Sequence, residues 1–127
     1  MNNTIAHKIV TNNPVVKNKY DNLIFVEGSY EDVLFKVRDL AHTGSEIINH
    51  PLGASIRMFF SPYRSIIIRE DNNLENEFYI NTIETSIETY KKQMEARTPD
   101  VVNSEDYSVI DAQLLDSALE EFERIYN

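Results

Sequence analysis

The stretch His50-Pro51-Leu52-Gly53-Ala54-Ser55-Ile56-Arg57 gathers the residues best suited to chemistry. An imidazole able to act as an acid–base sits before a guanidinium, with small residues between them. Small residues at a helix start leave backbone N–H groups accessible, and such donors attract anions. Gly53 permits close backbone approach or a positive φ. The planar fork of Arg57, and of Arg64 beyond it, suits a carboxylate or a phosphate. Two earlier apolar runs also end in polar residues, Thr11-Asn12-Asn13 and Glu27-Gly28-Ser29. The candidate ligand-binding set is therefore Asn12, Asn13, Glu27, Ser29, His50, Gly53, Ser55, Arg57 and Arg64. His50 is the candidate catalytic acid–base, with Glu27 or Asn12 orienting a substrate. Structural roles compete with each of these. His50 also suits a hydrogen-bonded turn, Glu27 a helix cap, and the two arginines internal salt bridges.

If the strands that precede them are parallel, these residues lie on the same edge of the sheet. Short apolar runs at 6–11, 22–27 and 46–49 alternate with helical patterns, and a further β-branched run lies at 65–69. Helices are expected over about 14–20, where Pro14 suits the first turn and Asn13 or Asn12 the cap. Another is expected from Ser29, three residues before Asp32 in a capping-box arrangement, to Gly44. Residues 54–60 fit a short helix or an alternating strand. The helix is preferred because it continues the alternation and makes the strand at 65–69 parallel to the others. Beyond the polar break at 70–73 the periodicity is helical. Ile80, Ile83, Ile87, Tyr90 and Met94 form one stripe; Tyr107, Ile110, Leu114, Leu115, Ala118, Phe122 and Ile125 form the other. The expected fold is a single α/β domain over 1–127. It has three layers, a mainly parallel, Rossmann-like four-stranded sheet and two long C-terminal helices. Parallel strands would deliver their following loops to one edge, where open α/β sheets bind ligands. The length of the 80–94 stripe raises a homodimer built on the C-terminal helices.

Composition narrows the chemistry. With no cysteine, the chain offers no disulfide, thiolate nucleophile or cysteine metal site. Its three glycines cannot build a dinucleotide or phosphate loop. No G-x-S-x-G elbow is present. His7, His42 and His50 lack metal-ligand spacing, so neither metal nor cofactor is expected. The net charge of −9 is uneven. Residues 1–69 hold six acids and eight bases, whereas 70–127 hold fifteen acids and four bases, or −11. Such a chain repels nucleic-acid backbones. The acidic half reads as a solvated surface or as a docking face for a basic partner. No signal peptide or membrane span is legible, and a cytoplasmic location is expected.

Three segments carry a resemblance: IVTNNPVVKNKY, IFVEGSYEDVLFKVRDLAHTG and HPLGASIRMFFSPYRSIII. Over about residues 8–69 the chain resembles the GrdX family, small proteins encoded beside glycine, sarcosine and betaine reductase genes in amino-acid-fermenting anaerobes. The resemblance implies an accessory role in reductive amino-acid metabolism and supplies no catalytic residues. Lacking cysteine, the chain cannot itself carry thiol or selenol chemistry. The leading expectation is a non-catalytic accessory or regulatory protein that binds a small anionic ligand at its strand ends. The alternatives are a small enzyme using His50 and a structural partner of a reductase subunit.

Overall fold

A computed structural model describes residues 6–70 and 76–126. The chain runs β1 (His7–Thr11), α1 (Pro14–Lys19), β2 (Leu23–Phe25), α2 (Tyr30–His42), β3 (Ser45–Ile47), a 3₁₀ turn (Ile56–Phe60), β4 (Ser65–Glu70), α3 (Glu77–Met94) and α4 (Ser104–Tyr126). Local signals account for the helix boundaries. Asn13 accepts from the Val15 amide and Pro14 opens α1. Ser29 and Asp32 close a complete capping box on α2. Gly44, at φ 106°, takes the left-handed position after α2, and its N–H reaches the Ala41 carbonyl.

The sheet is mixed, with strand order β2-β1-β4-β3. β1 and β2 are parallel. β4 runs antiparallel to both of its neighbours, β1 and β3. The mainly parallel expectation is therefore corrected, and with it the parallel direction assigned to residues 65–69. The helix expected over 54–60 is present only as five residues of 3₁₀ helix, about 10 Å at 2 Å per residue. A parallel crossover must carry the chain back along the full strand and usually needs a proper α-helix. Here the connection from residue 48 to residue 64 stays at one edge, and β4 re-enters the sheet where β3 left it. Asn49 belongs to this turn-back rather than to β3. Its Oδ1 accepts from the Ile67 amide at 2.6 Å and its Nδ2 donates to the Ser65 carbonyl at 3.2 Å, so its side chain extends the ladder in place of backbone.

Two cores flank the sheet. Val10, Ile66 and Ile68 face α2 and α3, packing with Val33, Leu34, Val37, Ile83 and Ile87. Ile9 and Ile67 face α1 and α4, packing with Val16, Ala112, Leu115 and Leu119. The three isoleucines of β4 are essentially without exposed surface, as expected for a strand covered on both faces. Of the 80–94 stripe, Ile83, Ile87 and Tyr90 are buried in the α2–α3 core, with Ile80 and Met94 packed against it. The stripe is thus spent inside the chain. No helix among the described residues is long and apolar enough to cross a membrane.

Candidate functional site

Despite the reversal of β4, β1, β2 and β3 point the same way, since β3 and β1 are both antiparallel to β4. Their carboxyl ends and the start of β4 share one edge. The loops after β1 and β3 diverge there, around the amino end of β4. Open α/β sheets leave a crevice at such a switch point. In this protein a buried polar node fills it.

The node is a directed chain of hydrogen bonds. The Asn13 amide donates to Thr11 Oγ1 at 3.0 Å. Thr11 Oγ1 lies 2.7 Å from Ser65 Oγ, its partner across the β1–β4 ladder. Ser65 Oγ donates to Asp111 Oδ2 at 2.7 Å. Asn13 closes the ring through Nδ2, which donates to the same carboxylate oxygen at 2.9 Å and to the Ser108 carbonyl at 2.8 Å. Thr11, Asn13, Ser65 and Asp111 are all fully buried. Burial pushes the Asp111 carboxyl above its ordinary value, opposed by the hydrogen bonds from Asn13 and Ser65 and by the nearby Arg64 charge. Its other oxygen, Oδ1, is buried without a hydrogen-bond partner.

Asn12 and Arg64 tie the surrounding loops together. Asn12 donates to the carbonyls of Gly28 and Pro62, at 2.9 and 2.8 Å, and accepts from the Arg64 amide at 3.0 Å. One amide thus joins the loops after β1, after β2 and before β4. Arg64 is buried, at 5 % exposure. It donates through Nε to the Pro51 carbonyl at 2.9 Å and through Nη2 to the His50 carbonyl. Tyr30 holds the same turn from below, its hydroxyl accepting from the Gly53 amide at 3.3 Å and facing the Pro51 carbonyl at 3.5 Å.

The remaining candidates lie around this node. Ser29 is the α2 cap, and the Asp32 carboxylate already occupies its N–H and hydroxyl. Glu27 is exposed. Ser55 caps the 3₁₀ turn through the Arg57 amide at 3.2 Å; the Arg57 side chain is exposed. Gly53 permits a close approach by the protein itself, because an added Cβ would lie 2.6 Å from the Met58 Cβ. Nδ1 of the exposed His50 ring lies 3.0 Å from the Leu52 amide. The same nitrogen lies 3.3 Å from the Leu52 carbonyl, so the ring's tautomer decides which of the two contacts is the hydrogen bond. Neither Glu27 nor Asn12 hydrogen-bonds to the ring. Among the described residues, no group of three or more histidine and acidic side chains is placed to hold a metal ion.

His50 faces an open groove that the sequence reading missed. The groove has a volume of about 450 Å³ and runs between the His50–Leu52 turn and α3. Its helical wall carries Phe78, Asn81, Thr82, Thr85, Ser86 and Thr89. The hydroxyls of Thr82 and Ser86 donate back to helix carbonyls, leaving their lone pairs outward. Asn81, Thr85 and Thr89 retain donors as well as acceptors. Their three- and four-residue spacing was legible, but it was overshadowed by the apolar stripe beside them. Asp111 was also missed. Its spacing of three and four from Ser108 and Leu115 places an acid on the buried face of α4.

The chain matches the family model described as GrdX-like protein over residues 8–120, so the similarity reaches well into α4. No curated protein and no solved structure matches it.

Proposed function

The chain belongs to the GrdX-like family, and from that premise we propose that it is a non-catalytic accessory protein of glycine, sarcosine or betaine reductase metabolism, acting by binding. The observation that carries the non-catalytic part is the state of the strand-end side chains. Asn12, Asn13, Ser65 and Arg64 spend their hydrogen-bonding groups on the protein itself. The Ser65–Asp111 pair is sealed from solvent, and the exposed Ser29–Asp32 pair is spent on the capping box of α2. Among the described residues, the ring of His50, the accessible acid–base candidate, is hydrogen-bonded only to the Leu52 backbone, with no acid or base orienting it. A chain without cysteine adds no thiol or selenol chemistry of its own.

A small anionic ligand remains part of the reading, with its location narrowed. On the turn-back between β3 and β4, the polar side chains facing solvent include the His50 ring, the Ser55 hydroxyl and the Arg57 guanidinium. His50 borders a groove with unspent hydroxyl and amide groups, and a volume of several hundred Å³ is in the range of small-molecule sites. A monocarboxylate or a single phosphate suits these walls better than a polyphosphate. Among the described residues no arginine or lysine lines the groove, and Arg57 lies beyond it on the same turn-back, in a chain of net charge −9.

The accessory role is tested by mixing the protein with the purified components of each of the three reductases and following association by analytical size exclusion. Stable co-elution with a component of at least one of them is expected. Independent elution from every component, at concentrations where the reductase itself assembles, contradicts the role.

A further inference from the structure

Helix α4 carries more apolar surface than the fold uses. Leu115, Leu119 and Phe122 are buried against the sheet, but Leu114 is 43 % and Ile125 66 % exposed. Ile110, Leu114, Ala118, Glu121 and Ile125 recur at spacings of four and three, which is one face of a helix. This second face borders the buried one. At its lower end it opens into a groove of about 380 Å³, walled by Ala118, Ile125 and Tyr126 on one side and by Ile48, Phe78 and Tyr79 on the other. Phe78 is itself 72 % exposed. α4 runs from the strand-end node, where Asp111 meets Ser65, to the start of β1, where Phe122 meets the His7 ring. The groove beside α4 adjoins the His50 groove, since Phe78 walls both. Monomers rarely leave contiguous apolar surface of this kind without a partner.

We propose that this seam and groove form the docking site for an amphipathic helix of another protein, with an apolar stripe flanked by lysine or arginine. Charge selects the occupant. α4 carries seven acidic residues and a single arginine; Asp111 is buried and Asp116 pairs with Lys19, and the other five, Glu121 at the groove among them, are exposed. A second copy would bring the same acidic helix against it, so self-association through this face is opposed electrostatically. A basic helix gains from the same field. Shape selects a helix over a strand. The nearest sheet edge, β3, is already covered, with Ser45, Glu46 and Ile47 at 4, 8 and 8 % exposure, so strand addition is not available. From Ile110 to Tyr126 the seam is about 24 Å long at 1.5 Å per residue, the length of a helix of four to five turns. This inference is independent of the reductase reading.

The test uses the full chain and two synthetic helices of identical pattern, one of leucine and lysine and one of leucine and glutamate, followed by fluorescence anisotropy. The lysine helix should bind, more weakly as salt rises, and the glutamate helix should not. Leu114→Asp and Ile125→Asp, both at exposed positions, should each weaken binding about tenfold or more, as loss of an interface anchor does. Val102→Asp, which alters an exposed apolar residue in the segment before α4, should leave binding unchanged. Failure of the lysine helix to bind, or binding indifferent to Leu114→Asp and Ile125→Asp, overturns the proposal. So does a dimer in sedimentation that those two variants dissociate, because the occupant would then be a second copy.

Discussion

Two polar regions share the carboxyl edge of the sheet and use the same kinds of side chain for opposite ends. In the node, Thr11, Asn13, Ser65 and Asp111 bond to one another and to backbone, out of reach of solvent. In the groove, Asn81, Thr85 and Thr89 stand at a solvent-facing wall opposite His50. Buried polar groups are costly unless satisfied, and satisfied networks fix a unique arrangement. The node therefore specifies how α4 and the loops seat on the sheet. Unspent groups at a concave surface are what a ligand can use. Residue type alone did not separate the two, since Asn12 and Asn13 looked as suitable for a ligand as any residue in the chain.

The largest effect that sharpens this contrast is expected from Asn13→Ala. The change removes the α1 cap and two buried donors, one of them to the Asp111 carboxylate. A cap is worth about 1 kcal/mol and a buried hydrogen bond to a charged group about 1.5–3 kcal/mol. A loss of about 3 kcal/mol in urea unfolding follows. Asn81→Ala in the groove should change stability by no more than about 0.5 kcal/mol, as surface substitutions do. Equal losses from the two variants would erase the distinction.

A pH dependence separates the regions next. Burial raises the Asp111 carboxyl above its ordinary value of 3.8, so the folded protein holds that proton more tightly than the unfolded chain. The resulting stabilisation is complete below 3.8 and is lost as pH rises through the raised folded value. Asp111→Asn removes this contribution. Denaturation of both proteins from pH 4 to pH 7 should show the difference shifting steadily in favour of the asparagine variant as pH rises. A difference that does not change with pH would mean that hydrogen bonds and the Arg64 charge fully offset burial.

Tyr30→Phe probes the anchor of the His50 turn. Loss of the hydroxyl facing Pro51 and Gly53 should cost about 1 kcal/mol and loosen the turn, speeding amide exchange at Gly53. The smallest effect on folding belongs to Arg57→Ala. With its side chain in solvent, the melting temperature should stay put while binding of a carboxylate or phosphate falls by about 1 kcal/mol, roughly fivefold. A lower melting temperature without any binding change would assign Arg57 to the fold instead.

The same contrast shows how much was legible in the sequence. Helix caps are local, and Asn13, the Ser29–Asp32 box and Gly44 could be read from neighbours a few residues away. Helical periodicity placed Ile83, Ile87 and Tyr90 in the core. The direction of β4 was not local. It depended on whether residues 48–64 could carry the chain back across the sheet, and a five-residue 3₁₀ turn cannot. The edge common to the first three strands survived that reversal, because a strand's own direction is untouched by its neighbour's. The node escaped notice because its partners lie far apart in sequence, with Asp111 98 positions from Asn13. The expected apolar face of α4 was too broad, since Leu114 and Ile125 look the same in sequence as the buried Leu115 and Phe122.

The central claim is that the buried node serves the fold and the open groove serves binding. It is tested most directly by nitrogen–proton NMR on the labelled protein during titration with acetate and with inorganic phosphate. The account predicts saturable shifts for His50, Arg57, Asn81 and Thr85 with at least one of the two, while Asn13, Ser65 and Asp111 stay fixed. Shifts centred on Asn12, Asn13, Ser65 and Asp111, or none with either anion, would contradict it.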